Sequence, residues 1–339
     1  MKIAVDCRYY GKSGIGRVCQ GLLENLDYFK NEYYLIGNEK LLSKYPAKEI
    51  ISDYNSPFSF KGILKINPKI NKLCDVFLAP NYLIPLNVKI PVYSVMHDLI
   101  FLDRKDTCKG TLDRLIKKIM LKRCMKKSVK VACVSGFTLN RCVHYYGKLA
   151  DKCFVNYNGL SENVINFKEE VKTEKNGKEL IFVGNVKPHK GIKTLIAAFK
   201  ALPEEYVLKI IGEKDNFNVG LSINDLETDR VIFTGRINDE ELLNEISKAS
   251  FLIQPSEYEG FGLPPLESLY LGTKPIISDI EVFKEIYDGF DVCYFKVGDP
   301  ESLKNAILSA NPKIDTKKEE IFEKYNYKKF ADNIVKNIN

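Results

Sequence analysis

The chain has 339 residues, 45% hydrophobic and 28% charged, a size and composition that suit two folded domains rather than one. No apolar run reaches the length of a membrane span, and Met1–Asp6 leads straight into a strand with no signal-peptide apolar region. The net charge of +7 is unevenly placed: residues 1–165 hold 27 Lys+Arg against 14 Asp+Glu, residues 166–339 hold 24 against 30, so an anionic partner is expected for the first half.

Lys2–Asp6 reads as a strand, followed by Ser13-Gly14-Ile15-Gly16-Arg17 and a helical pattern to about Asp27. Strand, glycine-rich turn and helix form a candidate anion site, or simply a tight connection. Residues 31–90 alternate short apolar runs with polar turns. Asp75–Ala79 and Pro91–Met96 read as strands, and the latter ends in His97-Asp98. Open α/β sheets bind ligands at such strand ends, so His97 is either a sugar-contacting residue or a satisfied surface histidine.

Thr111–Lys127 reads as a basic amphipathic helix. Leu112, Leu115, Ile116, Ile119, Met120 and Cys124 recur at helical spacing, expected to pack on the core. Arg114, Lys117, Lys118, Lys122, Arg123, Lys126 and Lys127 fill the rest, a composition suited to an anionic membrane surface or to a solvated face. Lys130–Val134 and Cys153–Tyr157 complete the strands of this half. The polar stretch 168–178 reads as a linker between domains 1–167 and 179–316, with a helix over 317–339 packing back on the first domain.

The second half repeats short apolar strands and helices: Glu179–Val183, Tyr206–Ile211, Val231–Phe233, Phe251–Ile253, Pro275–Ser278 and Val292–Phe295 are the expected strands. Such alternation predicts an α/β fold with parallel, doubly wound sheets. The turn Gly184–Gly191 brings lysines to a helix start. After Phe251–Ile253 the chain turns through Gly260 and Gly262 into a helix with Pro264 and Pro265 in its first turn, bracketed by Glu259 and Glu267. Carboxylates flanking an anion cradle suit a ligand with hydroxyls on both sides of a phosphate, as in a sugar nucleotide. Nine scattered cysteines form no C-x-x-C pair, as expected in a reducing cytoplasm, and there is no zinc-ligand spacing, D-x-D, G-x-S-x-G or P-loop.

The run Phe233-Thr234-Gly235-Arg236 … Pro255-Ser256 … Glu259-Gly260-Phe261-Gly262-Leu263-Pro264-Pro265-Leu266-Glu267 … Gly272 resembles the E-x7-E signature of retaining glycosyltransferases of family 4, and the likeness extends over nearly the whole chain. The resemblance implies a GT-B fold, two Rossmann-like doubly wound domains facing a cleft. It implies that Glu259 contacts the transferred sugar, that Gly260, Phe261 and Gly262, with Leu263 beside them, present backbone N–H groups, and that Glu267 holds the ribose. Lys190 matches the phosphate-binding lysine. Asn185 stands where many members carry arginine, which brings Lys187 into consideration. Arg236 lies where members contact the base, Gly14 and Gly16 would close over the donor, and His97 would reach the donor sugar.

The implied activity is retaining, metal-independent hexosyl transfer with no cofactor. GDP-mannose is the first donor expected, UDP-hexoses or dTDP-rhamnose next. The expected acceptor is a saccharide or polyprenyl-diphosphate-linked saccharide of surface polysaccharide synthesis, met in the cytoplasm at the inner membrane face. A GT-B epimerase or phosphorylase, or a non-catalytic sugar-nucleotide-binding subunit, are the alternatives. A nucleic-acid partner is not expected, because no motif accompanies the basic half.

Overall fold

The computed structural model describes residues 1–168, 175–213 and 228–338. The chain divides into two compact units, Met1–Ser161 with Tyr325–Asn339, and Glu162–Lys324. Each is a parallel sheet, and among the described residues most successive strands are joined through a helix.

In unit 1 the strands are β1 Lys2–Asp6, β2 Glu32–Gly37, β3 Glu49–Ser52, β4 Val76–Ala79, β5 Val92–Met96, β6 Ser128–Cys133 and β7 Cys153–Val155, in the order β3-β2-β1-β4-β5-β6-β7. In unit 2 they are β8 Glu179–Val183, β9 Val207–Ile211, β10 Val231–Gly235, β11 Phe251–Gln254, β12 Lys274–Ser278 and β13 Cys293–Phe295, in the order β10-β9-β8-β11-β12-β13. Central strands β4, β11 and β12 are buried throughout, as strands covered on both faces must be. Strand order reverses between β1 and β4 and again between β8 and β11, so each sheet has a switch point at its C-terminal edge, where ligands bind such sheets.

β2 and β3 lie within the stretch that sequence pattern leaves as alternating runs. They pair in parallel with β1 and with each other, Lys2 opposite Glu32 and Tyr34 opposite Glu49. The C-terminal segment forms two helices rather than one, Lys318–Lys324 and Tyr327–Ile338. The first stays in unit 2, with Ile321 buried and Lys318 over the Tyr270 ring. The second is part of unit 1 and buries Tyr327, Phe330, Ala331, Ile334 and Ile338. Tyr327 lies flat on the Ser13–Glu24 helix at Gly21, where any Cβ would collide with its ring. Asn156 donates to the Phe330 carbonyl at 3.0 Å. Of the stretch expected to be a linker, 169–174 lie outside the described residues. Lys175 is anchored on unit 2 through Gly272 O (2.7 Å) and Thr273 Oγ1.

The Thr111–Lys127 helix has the bounds expected, but of the face expected inward only Met120 and Cys124 meet the core. Its inward side is Leu121, Cys124 and Met125. Arg114, seven residues before Leu121 and therefore on the same face, donates to the Phe101 and Leu102 carbonyls. The aliphatic stripe expected in the core is outside: Leu112 is 71% exposed, Leu115 53%, Ile116 43% and Ile119 51%. Lys122 and Lys126 share that exposed face.

Candidate active site

The side chains singled out in unit 2 gather at the C-terminal edge of its sheet. β8 ends at Val183, and the following turn passes through Asn185 and Lys187 into a single 3-10 turn, Pro188–Lys190. Gly191 then adopts φ +67°, and a Cβ there would strike the Pro255 carbonyl oxygen just beyond β11. Only glycine meets both demands. The close approach brings the β8 turn onto the β11 turn, and Glu257 N donates to His189 O at 2.8 Å across the junction.

That junction creates the central pair. Lys190 Nζ donates to Glu259 Oε1 at 2.6 Å, with the two side chains 20% and 12% exposed. Ser256 Oγ donates to the same oxygen at 2.7 Å, and Gln254 Nε2 donates to Ser256 Oγ at 2.8 Å and to Oε1 at 3.4 Å. Thus every described donor converges on Oε1, and none among the described residues reaches Oε2. Burial disfavours the Glu259 carboxylate, but Lys190 and the Ser256 hydroxyl outweigh it and hold the carboxyl below its ordinary value. The group is ionised at neutral pH, with one oxygen fixed and the other able to accept from a ligand hydroxyl.

From Glu259 the chain turns through Gly260 and Phe261 to Gly262, at φ +92°, where a side chain would meet the Phe283 ring. Ser278 donates to the Ser256 carbonyl and Tyr287 to the Gly262 carbonyl, so strand β12 and the helix after it clamp both ends of the turn. The Leu263–Tyr270 helix starts here, with prolines in its first turn and no side chain capping its N-terminus. Such an end carries partial positive charge and N–H groups suited to an anion. Glu267 lies one turn further on the same helix and is buried, 3% exposed. Arg236, just past β10, is exposed and lies 3.9 Å from Glu213, just past β9.

Gly14, Gly16 and His97 belong to unit 1. Gly14 is exposed in the first turn of the Ser13–Glu24 helix, with open space where a side chain would go. Gly16 lies against the Tyr9 carbonyl, leaving no room for a Cβ. His97, past the end of β5, donates from Nε2 to the Pro80 carbonyl at 2.8 Å. Burial holds its basicity below the ordinary histidine value, although that carbonyl and Asp98 oppose the shift, so the ring is neutral at neutral pH. Thr138 donates to the His97 carbonyl.

Three residues that the sequence motifs contain, Gln254, Ser256 and Arg8, have supporting roles that the sequence reading did not assign. Gln254 and Ser256 fix Glu259, and the only hint was a polar residue closing an apolar strand. Arg8 is buried against Asp6 through two bonds, 2.8 and 2.7 Å, and donates to Gly62 O at 3.1 Å, pinning the loop after β1. Asp6 and Arg8 thus form a buried ion pair that holds this loop in place.

Residues 163–329 match the family model described as glycosyl transferases group 1. Among curated proteins, the O-antigen chain mannosyltransferase RfbU of Salmonella typhimurium is 31% identical over 202 residues, 58% of this chain and 56% of that protein. An uncharacterised glycosyltransferase of Methanocaldococcus jannaschii is 27% identical over 303 residues, 82% of this chain and 76% of that one. The match thus spans little more than half the length of RfbU. Among solved structures, Anabaena HepE in complex with UDP-glucose superposes with a TM-score of 0.74 at 14% identity, covering 100% of this chain and 99% of that one. WaaG, a glycosyltransferase involved in lipopolysaccharide biosynthesis, superposes with a TM-score of 0.67 at 15% identity, covering 97% and 95%. At these identities the structures show a shared fold, two parallel α/β units of the GT-B kind.

Proposed function

We propose that this chain, whose residues 163–329 match the family model of glycosyl transferases group 1, is a retaining hexosyltransferase that uses a nucleoside diphosphate sugar. The observation that carries the reading is the Glu259 carboxylate, fixed at Oε1 by Lys190, Ser256 and Gln254 beside an uncapped helix N-terminus at the switch point of β8 and β11. Loss of a nucleoside diphosphate leaves an electron-poor sugar carbon and a charged leaving group. Lys190, which donates one bond here and carries three N–H groups, swings from Glu259 onto the leaving phosphate. The N–H groups of the Gly260–Leu263 turn add to the same field. Glu259 Oε2 accepts from a donor-sugar hydroxyl and fixes the anomeric carbon for attack. Glu267 accepts from the ribose, and Arg236 from its exposed strand end meets the base. These groups supply the positive charge a metal would otherwise bring, so the reaction is proposed to be metal-independent and to need no cofactor.

GDP-mannose is the first donor, a choice supported by the likeness to RfbU, whose name records mannosyl transfer to an O-antigen chain. UDP-hexoses are the competing donors, since the HepE structure holds UDP-glucose. A donor screen tests both: incubation with each sugar nucleotide and an O-antigen-type acceptor, followed by NMR of the product. Release of GDP with an α-mannoside from α-linked GDP-mannose is expected. An inverted product, or isomerised donor without glycoside, overturns the reading and favours an inverting enzyme or an epimerase.

The acceptor is proposed to be a lipid-linked saccharide reached at the cytoplasmic face of a membrane. No described helix is long and apolar enough to cross a bilayer. The Thr111–Lys127 helix supports contact with an anionic surface instead, because its exposed face combines Leu112, Leu115, Ile116 and Ile119 with Lys122 and Lys126.

A further inference from the structure

Unit 1 carries a cluster that sugar transfer does not use. Cys133 ends β6 and Cys153 begins β7. In the β6–β7 register Val131 faces Cys153 and Cys133 faces Val155, so the two cysteines are diagonal neighbours on one sheet face. Cys142, on the Gly136–Tyr146 helix that connects these strands, descends onto the same spot. The three Sγ atoms lie within 4.8 Å of one another, and Cys133 and Cys142 are 3.9 Å apart. Cys133 and Cys142 are fully buried, while Cys153 is partly exposed and gives the cluster one open side. Cys124 belongs to the same core but is held by the Ser94 and Ser128 hydroxyls.

Three sulfurs at about 2.3 Å from a common ion stand roughly 3.8–4.0 Å apart. The Cys133–Cys142 separation has that value, whereas a disulfide would need the sulfurs at about 2.05 Å and would leave the third without a role. Thiolate-only sets select soft cations of the zinc and copper(I) kind. We propose that Cys133, Cys142 and Cys153 form a site for one soft d10 cation, closed on two sides by the core and entered past Cys153. Its consequence is mechanical. The ion ties the Gly136–Tyr146 helix to β6 and β7, and that helix holds the His97 carbonyl through Thr138. The strand end that presents His97 is thereby braced from behind. The inference goes beyond the transfer reaction and stands or falls independently of it.

The test uses full-length protein purified anaerobically with reductant, stripped of metal, and titrated with Zn2+ and with Cd2+. Metal per chain is measured by mass spectrometry, and the sulfur-to-cadmium charge-transfer band is followed in the ultraviolet. One ion per chain is expected. Each of Cys133→Ser, Cys142→Ser and Cys153→Ser is expected to weaken binding by more than about 100-fold, the upper cost of losing an outer-shell partner, and Cys293→Ser, in unit 2, to leave it unchanged. Cys153→Ser, at the open side, is the variant least able to disturb the core, and circular dichroism confirms its fold. Absence of a charge-transfer band at tenfold excess of ion, or binding that survives Cys153→Ser in a folded protein, overturns the proposal.

Discussion

At the scale of single residues, the proposed site centres on the Glu259–Lys190 pair, and the two make separable predictions. Lys190→Ala should lower kcat by about 100–1,000-fold, the range expected for loss of one preorganised donor to developing charge. Donor affinity should fall less, which calorimetry with GDP-mannose would show; equal losses in binding and turnover would place Lys190 in ground-state binding alone. Glu259 and His97 also set the acid side of the stability profile. Both have folded-state values below their ordinary ones, 4.5 for the glutamate and 6.5 for the histidine. Each therefore contributes stability above its ordinary value and loses it as pH falls through the folded one. Urea unfolding between pH 7 and pH 3 should show a decline starting below 6.5 that is absent in His97→Gln, and a second below 4.5 that is absent in Glu259→Gln. Unchanged profiles in both variants would contradict the burial and pairing described for them. Sequence named this pair because carboxylate, glycine turn and lysine carry their chemistry in their identities. The roles of Gln254 and Ser256 stayed hidden because a polar side chain shows no partner until folding aims it at Oε1.

Elements were legible wherever apolar runs were continuous. β1, β8, β11 and the bounds of the Thr111–Lys127 helix follow directly from the pattern. β2 and β3 were left unassigned: each opens on a glutamate, Glu32 or Glu49, and is placed by its pairing, β2 on β1 and β3 on β2. The helix teaches a different lesson: periodicity says which residues share a face, while packing partners decide which face is inside. Arg114, bonded to two carbonyls of the short Ile100–Asp103 helix, turns this helix so that its aliphatic stripe points outward. At the same scale, Gly191→Ala is predicted to destabilise unit 2 by about 1–3 kcal/mol through its left-handed backbone and its contact with Pro255. The same change should cut turnover, because Lys190 rides on that turn. Wild-type activity in Gly191→Ala would mean that the approach of the β8 and β11 turns is dispensable.

At the scale of the molecule, charge is partitioned with the fold. Unit 1 holds 30 Lys+Arg against 14 Asp+Glu, a net of +16, and unit 2 is correspondingly acidic, a net of −9. The exposed Leu112–Ile119 stripe sits in the basic unit, so the proposed contact with an anionic surface would combine electrostatic attraction with apolar insertion. Each lysine near such a surface contributes about 1 kcal/mol, screened by salt, while the aliphatic contribution is not screened. Sedimentation with anionic vesicles should therefore show binding that weakens but persists in high salt, and Ile116→Glu with Ile119→Glu should abolish what persists. Complete release by salt in the unmodified protein would leave the stripe without a part in it.

The account rests most heavily on Glu259 as the residue that positions the donor sugar. Its direct test is transfer by Glu259→Ala, measured as the rate at which glycosylated acceptor and GDP appear, on protein whose unfolding midpoint matches the unmodified chain. The account predicts turnover at least about 100-fold lower, with GDP still bound through the Lys190 turn and the Gly260–Leu263 N–H groups. Near-unmodified turnover in that folded variant would contradict it.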